Sequence, residues 1–123
     1  LGDKKATEPL IIALTDGEPN VRYEAALALR LLGDERALAA LVTTLSDDEK
    51  QVHYAAALAL GRLGDERAVE PLIEALLDQD ERLRRLAAGA LAELGDKRAV
   101  KPLIGALSDQ DEGLRREEER EAV

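Results

Sequence analysis

The chain has 123 residues, 35% of them charged, a net charge of −9, and an apolar fraction of 46% carried almost wholly by Ala, Leu, Val and Ile. Two Tyr and no Phe, Trp, Met or Cys favour helices over strands, which draw on β-branched and aromatic residues, and exclude a disulfide framework or a thiolate metal site. The acidic balance excludes a nucleic-acid partner, which needs a basic footprint; no apolar run nears the ~18 residues of a membrane span and no targeting signal is present, so no membrane partner and a default cytoplasmic location are expected.

Leu-Gly-Asp opens at Leu1 and returns at Leu32, Leu63 and Leu94, always 31 residues apart. The chain therefore divides into four copies, 1 to 31, 32 to 62, 63 to 93 and 94 to 123, expected to form one repeat domain. In the first copy Thr7, Leu10, Ile11 and Leu14 fall on one helical face, and the turn Asp16-Gly17-Glu18 follows. Pro19, with an acid before it, then opens a second helix carrying Val21, Ala25, Ala28 and Leu29. The second copy repeats this with Leu38, Leu41, Val42 and Leu45, a turn at Asp47-Asp48-Glu49, then Val52, Ala56, Ala59 and Leu60. The third has Asp65 as cap, Val69, Leu72, Ile73 and Leu76, a turn at Asp78-Gln79-Asp80, then Leu83, Ala87, Ala90 and Leu91. At each junction Gly stops one helix in the left-handed conformation and Asp starts the next. The fourth copy begins alike with Val100, Leu103, Ile104 and Leu107, but ends in Glu118-Glu119-Arg120-Glu121-Ala122 where its siblings carry the apolar core. That helix cannot pack as they do, since buried unpaired carboxylates are prohibitive. An isolated hairpin cannot bury its apolar faces, whereas stacked copies cover one another, so a short, slightly curved all-α solenoid is expected.

The string from Leu63 through Ala68, Val69, Pro71, Leu72 and Ile73 to Leu76, with Asp78 and Arg84 after it, resembles the HEAT-like repeat of the phycobilin-lyase type, and is similar to the consensus of the artificial alphaRep scaffolds. The resemblance implies a right-handed α-α superhelix of four helical hairpins, a bend at Pro9, Pro71 and Pro102 in the first helices, and a straighter second copy at Ala40. It also implies that the second helices line the concave surface, the one randomised in alphaRep libraries.

Comparing the copies with one another separates scaffold from surface. The freely changing second-helix positions form one arc about 100° wide opposite the core. They hold Asn20, Tyr23, Glu24, Leu27 and Leu31, then Gln51, Tyr54, Ala55, Leu58 and Arg62, then Arg82, Arg85, Leu86, Gly89 and Glu93. Leu27, Leu58 and Leu86 are expected to be exposed there, merging with both tyrosines into a strip edged by Arg62, Arg82 and Arg85, an interface composition. The outer face of the first helices carries mostly charged or small residues instead, such as Lys4, Glu8, Glu70, Glu74, Lys97 and Lys101.

Asp16, Asp47, Asp78 and Asp109 each have a basic residue six positions on, Arg22, His53, Arg84 and Arg115. A pair present in every copy suits a structural ladder, because an active site is normally built once. The resemblance implies that such Asp and Arg residues hydrogen-bond along the stack. His53, the one histidine, is expected to make a weaker version of the contact, with Asp47. The acidic turns lack EF-hand spacing, and no Gly-rich phosphate loop, Ser nucleophile elbow or zinc helix is present. The expected function is a non-catalytic protein-protein interaction scaffold without metal or cofactor, binding a protein on the second-helix face, with self-association possible through the N-terminal end. The alternatives are a lyase-associated or chaperone-like subunit handling a bilin chromophore, which the resemblance implies, and a consensus-type engineered scaffold without a native partner.

Overall fold

A computed structural model of the chain describes residues 4–106. Within them run six complete α-helices, α1 (Thr7–Ala13), α2 (Pro19–Leu32), α3 (Leu38–Thr44), α4 (Lys50–Leu63), α5 (Val69–Ala75) and α6 (Glu81–Leu94). A further helix starts at 100 and continues to 106. No strand occurs among the described residues.

Each junction is built from the Leu-Gly-Asp signal. Gly33, Gly64 and Gly95 take φ of 62°, 71° and 64°, the left-handed conformation that only glycine adopts without steric cost. The Gly33 and Gly95 N–H groups return to the Leu29 and Leu91 carbonyls at 3.0 and 3.1 Å, closing the last turn of α2 and α6. The following Asp34, Asp65 and Asp96 then accept the backbone N–H two residues on, at Arg36, Arg67 and Arg98, at 3.0, 2.9 and 2.8 Å. These carboxylates cap a 3-10 turn rather than the α-helix itself, at Glu35–Ala37, Glu66–Ala68 and Lys97–Ala99. A similar turn, Lys4–Ala6, precedes α1.

Pro9 and Pro71 occupy the third position of α1 and α5, inside the first helical turn, where a missing N–H does little harm. Ala40 holds the same place in α3, which has the same seven-residue length and the same preceding 3-10 turn. The division of the first helix is therefore set by the Asp-capped turn and does not depend on the proline.

The second helices pack side by side, α4 between α2 and α6, and each first helix lies on the second helix of its own copy. Leu29, Leu60 and Leu91 from the second helices meet Leu41, Leu72 and Val69 from the first, all fully buried, with alanines between. Replacing one of these leucines by Ala would cost about 2–5 kcal/mol. Thr7 stands where the next copies have Leu38 and Val69; its buried hydroxyl donates to the buried Asp34 carboxylate at 2.8 Å, which joins copy one to copy two.

Candidate interaction surface and inter-repeat ladder

The ladder geometry begins at Arg22 on α2. Its Nη1 donates to the carbonyl of Asp16 in its own turn at 2.7 Å. Its Nε and Nη2 reach the carboxylate of Asp47, one copy further along, at 2.8 and 3.1 Å. Burial alone would raise the Asp47 pKa, but the Arg22 hydrogen bonds, the Glu49 N–H and the nearby positive charge outweigh it and hold the carboxyl below its ordinary value. Arg84 repeats the first half, donating to the Asp78 and Gln79 carbonyls at 2.8 and 2.9 Å. Asp109 and Arg115 lie outside the described residues, as do residues 1–3 and the C-terminal segment 113–123.

His53 departs from the expectation. Asp47 is taken by Arg22, not by His53, and the His53 Nε2 is buried without a hydrogen-bond partner. An imidazole is too short to span from α4 to the next turn as a guanidinium does, so the link between copies two and three lacks its counterpart of Arg22–Asp47. The Asp78 carboxylate accepts the Asp80 N–H at 2.8 Å within its own turn.

Asn20, Glu24, Gln51, Arg62, Arg82 and Arg85 are exposed along the second-helix arc. Leu27, Leu58 and Leu86 are half-buried rather than exposed, Leu27 and Leu86 packing against the core, and Ala55 is wholly buried. The cause is close helix approach: Ala26, Ala55, Ala57 and Gly61 are all buried, so side chains on the flanks of each second helix are covered by the neighbour. Leu31 is 75% exposed on the same arc, but Ile12 and Leu77, on the first-helix side, are 70% and 82% exposed. Exposed apolar residues are therefore not confined to the second helices.

The two tyrosines differ. The Tyr54 hydroxyl donates to the Asp80 carboxylate, which also accepts the Arg82 and Leu83 N–H groups at 2.9 and 3.4 Å and so caps α6. The Arg82 guanidinium lies 4.9 Å from the centroid of the Tyr54 ring, within cation–π range. The hydrogen bond to Asp80 raises the phenol pKa above 10 and, first among its causes, lowers that of Asp80. Tyr54 thus braces copy two against copy three. Tyr23 is half-buried against the core, and Glu49, standing where copy three has Asp80, makes no side-chain cap. Arg85 pairs with Glu81 one turn earlier at 3.2 Å.

Two contacts escape a reading by periodicity. A Cβ on Gly61 would sit 2.7 Å from the Ala90 Cβ and 2.8 Å from its Cα, so glycine sets the separation of α4 and α6. The Thr7–Asp34 bond carried a signal, a hydroxyl at a core position that needs a partner. No described group of His, Cys, Asp and Glu is arranged to hold a metal ion. No described helix is long and apolar enough to cross a membrane.

The chain matches HEAT repeats over residues 1–52 and 43–123. Its fold is similar to that in the complex of CpcE and CpcF of phycocyanin lyase from Nostoc sp. PCC7120, with 34% identity, 82% of this chain and 41% of that chain covered, and a TM-score of 0.76. It is also similar to an engineered protein solved by the Northeast Structural Genomics Consortium, with 27% identity, 85% and 52% coverage and a TM-score of 0.62. The chain thus spans about two fifths of the first and about half of the second. No curated protein matches the sequence. The Gly-Asp junctions, the stacked second helices and these matches agree on an all-α, right-handed α-α superhelix, and the chain belongs to the HEAT-repeat family.

Proposed function

We propose that the chain is a non-catalytic scaffold that binds a protein partner across its second helices, acting in the cytoplasm and needing no cofactor. The observation that carries this reading is the contrast between copies. Junction glycines, capping aspartates and core leucines hold constant, while the exposed Asn20, Glu24, Gln51, Arg62, Arg82 and Arg85, flanked by half-buried Tyr23, Leu27, Leu58 and Leu86, change freely. The similarity to a two-subunit complex, CpcE with CpcF, lends support to a protein partner. Tyr54 contributes the orientation of Arg82, not a free hydroxyl.

The test is capture by the purified chain against capture by Tyr23→Ala with Leu27→Ala, with Arg22→Met as a control for ladder damage. Loss of capture in the double variant, with helicity and Tm of the control or better, supports the site. Unchanged capture removes it.

A second reading, a subunit handling a bilin chromophore in a lyase-type assembly, is favoured by the 34% identity to the phycocyanin lyase structure. It predicts that a bilin added to the chain acquires a protein-induced change in visible absorption. With no Cys to form a thioether, the chain would hold rather than bond the pigment.

A further inference from the structure

A groove runs between the first helices of successive copies, and its two examples correspond residue by residue: Leu14 to Leu45, Ala40 to Pro71 and Asp47 to Asp78. They differ in charge. Between copies one and two, Arg22 is part of the lining, its Nε and Nη2 bonded to the half-buried Asp47 carboxylate. Between copies two and three, the groove of about 300 Å³ has no basic residue in its described lining: Val42, Leu45, Pro71 and Leu83 supply apolar wall, and Glu74 and Asp78 supply carboxylates. Asp78 is exposed where Asp47 is half-buried, and its carboxylate accepts only the Asp80 N–H, through Oδ1, from the described residues. Arg84, six positions on, turns its Nη1 to the Asp78 and Gln79 carbonyls instead. His53, in the place of Arg22, ends in a buried Nε2 that bonds to nothing. The ladder therefore has one carboxylate without its guanidinium, at an open groove whose walls come from copies two and three.

We infer that this groove takes an arginine side chain from a protein partner, its aliphatic stem along Val42, Leu45 and Pro71 and its guanidinium on Asp78 in the manner of Arg22 on Asp47. The fit is one of charge and of shape. Two exposed carboxylates with no basic residue in the lining draw a cation, and apolar walls suit a long stem with a weakly hydrated head. Arginine is favoured over lysine because the Arg22 pair is two-pronged, a geometry that an ammonium cannot reproduce. The surface lies on the first-helix side, apart from the second-helix face proposed above.

The probe is the blocked peptide acetyl-Ala-Leu-Arg-Leu-Ala-amide, titrated to millimolar concentration into the 15N-labelled chain, with lysine and citrulline versions beside it. Saturable NMR shifts are expected at Val42, Leu45, Glu74 and Asp78, several-fold tighter for arginine than for lysine and absent for citrulline. Asp78→Asn, which keeps the turn bond to the Asp80 N–H but not the charge, is expected to weaken binding by roughly tenfold or more. His53→Arg supplies the guanidinium from inside the stack and is expected to abolish binding. Thermal melts check that both variants fold. Absence of saturable shifts overturns the inference, as does binding undiminished in either variant. Equal affinity for the lysine or citrulline peptide also overturns it, because the groove would then not read the guanidinium.

Discussion

Arg22 spans two repeats: it donates to the Asp16 carbonyl behind it and to both carboxylate oxygens of Asp47 ahead. Its side chain is only 14% exposed and that of Asp47 10%, so the pair sits in a screened but not dry setting, where charge-assisted, two-pronged bonds outperform an ordinary surface ion pair. Arg22→Met keeps the aliphatic packing and removes three donors. It is expected to lower the Tm clearly, whereas Arg62→Met, at an exposed site, leaves it nearly unchanged. Equal Tm values for the two variants would show that the ladder does not stabilise the stack.

The gap at His53 gives the converse experiment. His53→Arg places a guanidinium where Arg22 has one, with the Asp47 carbonyl behind and the Asp78 carboxylate ahead, and relieves a buried nitrogen that has no partner. The variant is expected to melt higher than the parent, and Asp78→Ala to abolish the gain in a double-mutant cycle. A gain that persists without Asp78 would assign it to something other than the ladder.

Acid should loosen the junctions in a defined window. The hydrogen bonds from Arg67, side chain then backbone, hold the Asp65 carboxyl down at about 2, and the corresponding arginine bonds lower Asp34 and Asp96. A carboxyl whose folded pKa is depressed stabilises the fold above its unfolded value, ~3.9, and that stabilisation fades as pH falls through the folded value. The Tm is therefore expected to hold steady from pH 7 to about 4 and then to fall toward pH 2. Asp65→Asn, which keeps the turn bond but not the charge, should start lower and fall less steeply over the same range. A Tm that is flat across pH 5 to 2.5 would contradict this account.

Two helical glycines make opposite predictions. Gly61→Ala drives a Cβ into Ala90 at 2.7 Å from its Cβ, with the Ala90 backbone almost as close, so α4 and α6 must separate. Overpacking of this kind costs about 1–3 kcal/mol, more than the ~0.5–1 kcal/mol gained by replacing a mid-helix glycine. Gly89 has no such neighbour within 4 Å, so Gly89→Ala is expected to collect the helix gain alone. Urea unfolding of both variants should give midpoints on opposite sides of the parent; both rising would mean that the helix contact at Gly61 yields freely.

What the sequence made legible is what repeats. Leu10, Leu41 and Leu72 face inward because of a 3.6-residue period, and Gly33, Gly64 and Gly95 end helices because only glycine takes their backbone angles cheaply. The 3-10 turns stayed hidden because an Asp before a helical run reads the same whether it caps an α-helix or a tighter turn. The half-burial of Leu27, Leu58 and Leu86 depends on how near the second helices come, which a helical wheel drawn for one helix does not contain. Gly61 against Ala90 and Tyr54 against Asp80 are pairs made by that approach, between residues far apart in the chain and unlike their equivalents in the other copies.

Tyr54 supplies the last and most local test. Its hydroxyl donates to the carboxylate that caps α6, so removing the phenol proton would set two anions against each other. That is why its pKa lies above the ordinary 10, with the Asp80 hydrogen bond as the leading cause and burial second. A raised folded value means that the bond's stabilisation is complete below pH ~10 and is lost as pH rises through the folded value. In Tyr23→Phe, ultraviolet titration follows Tyr54 alone and is expected to show a midpoint above 10. Adding Asp80→Asn should bring the midpoint down and, because asparagine still caps the helix, leave helicity intact. If the midpoint does not move, the phenol is not bound to Asp80 in solution, and Tyr54 returns to the set of residues free to meet a partner.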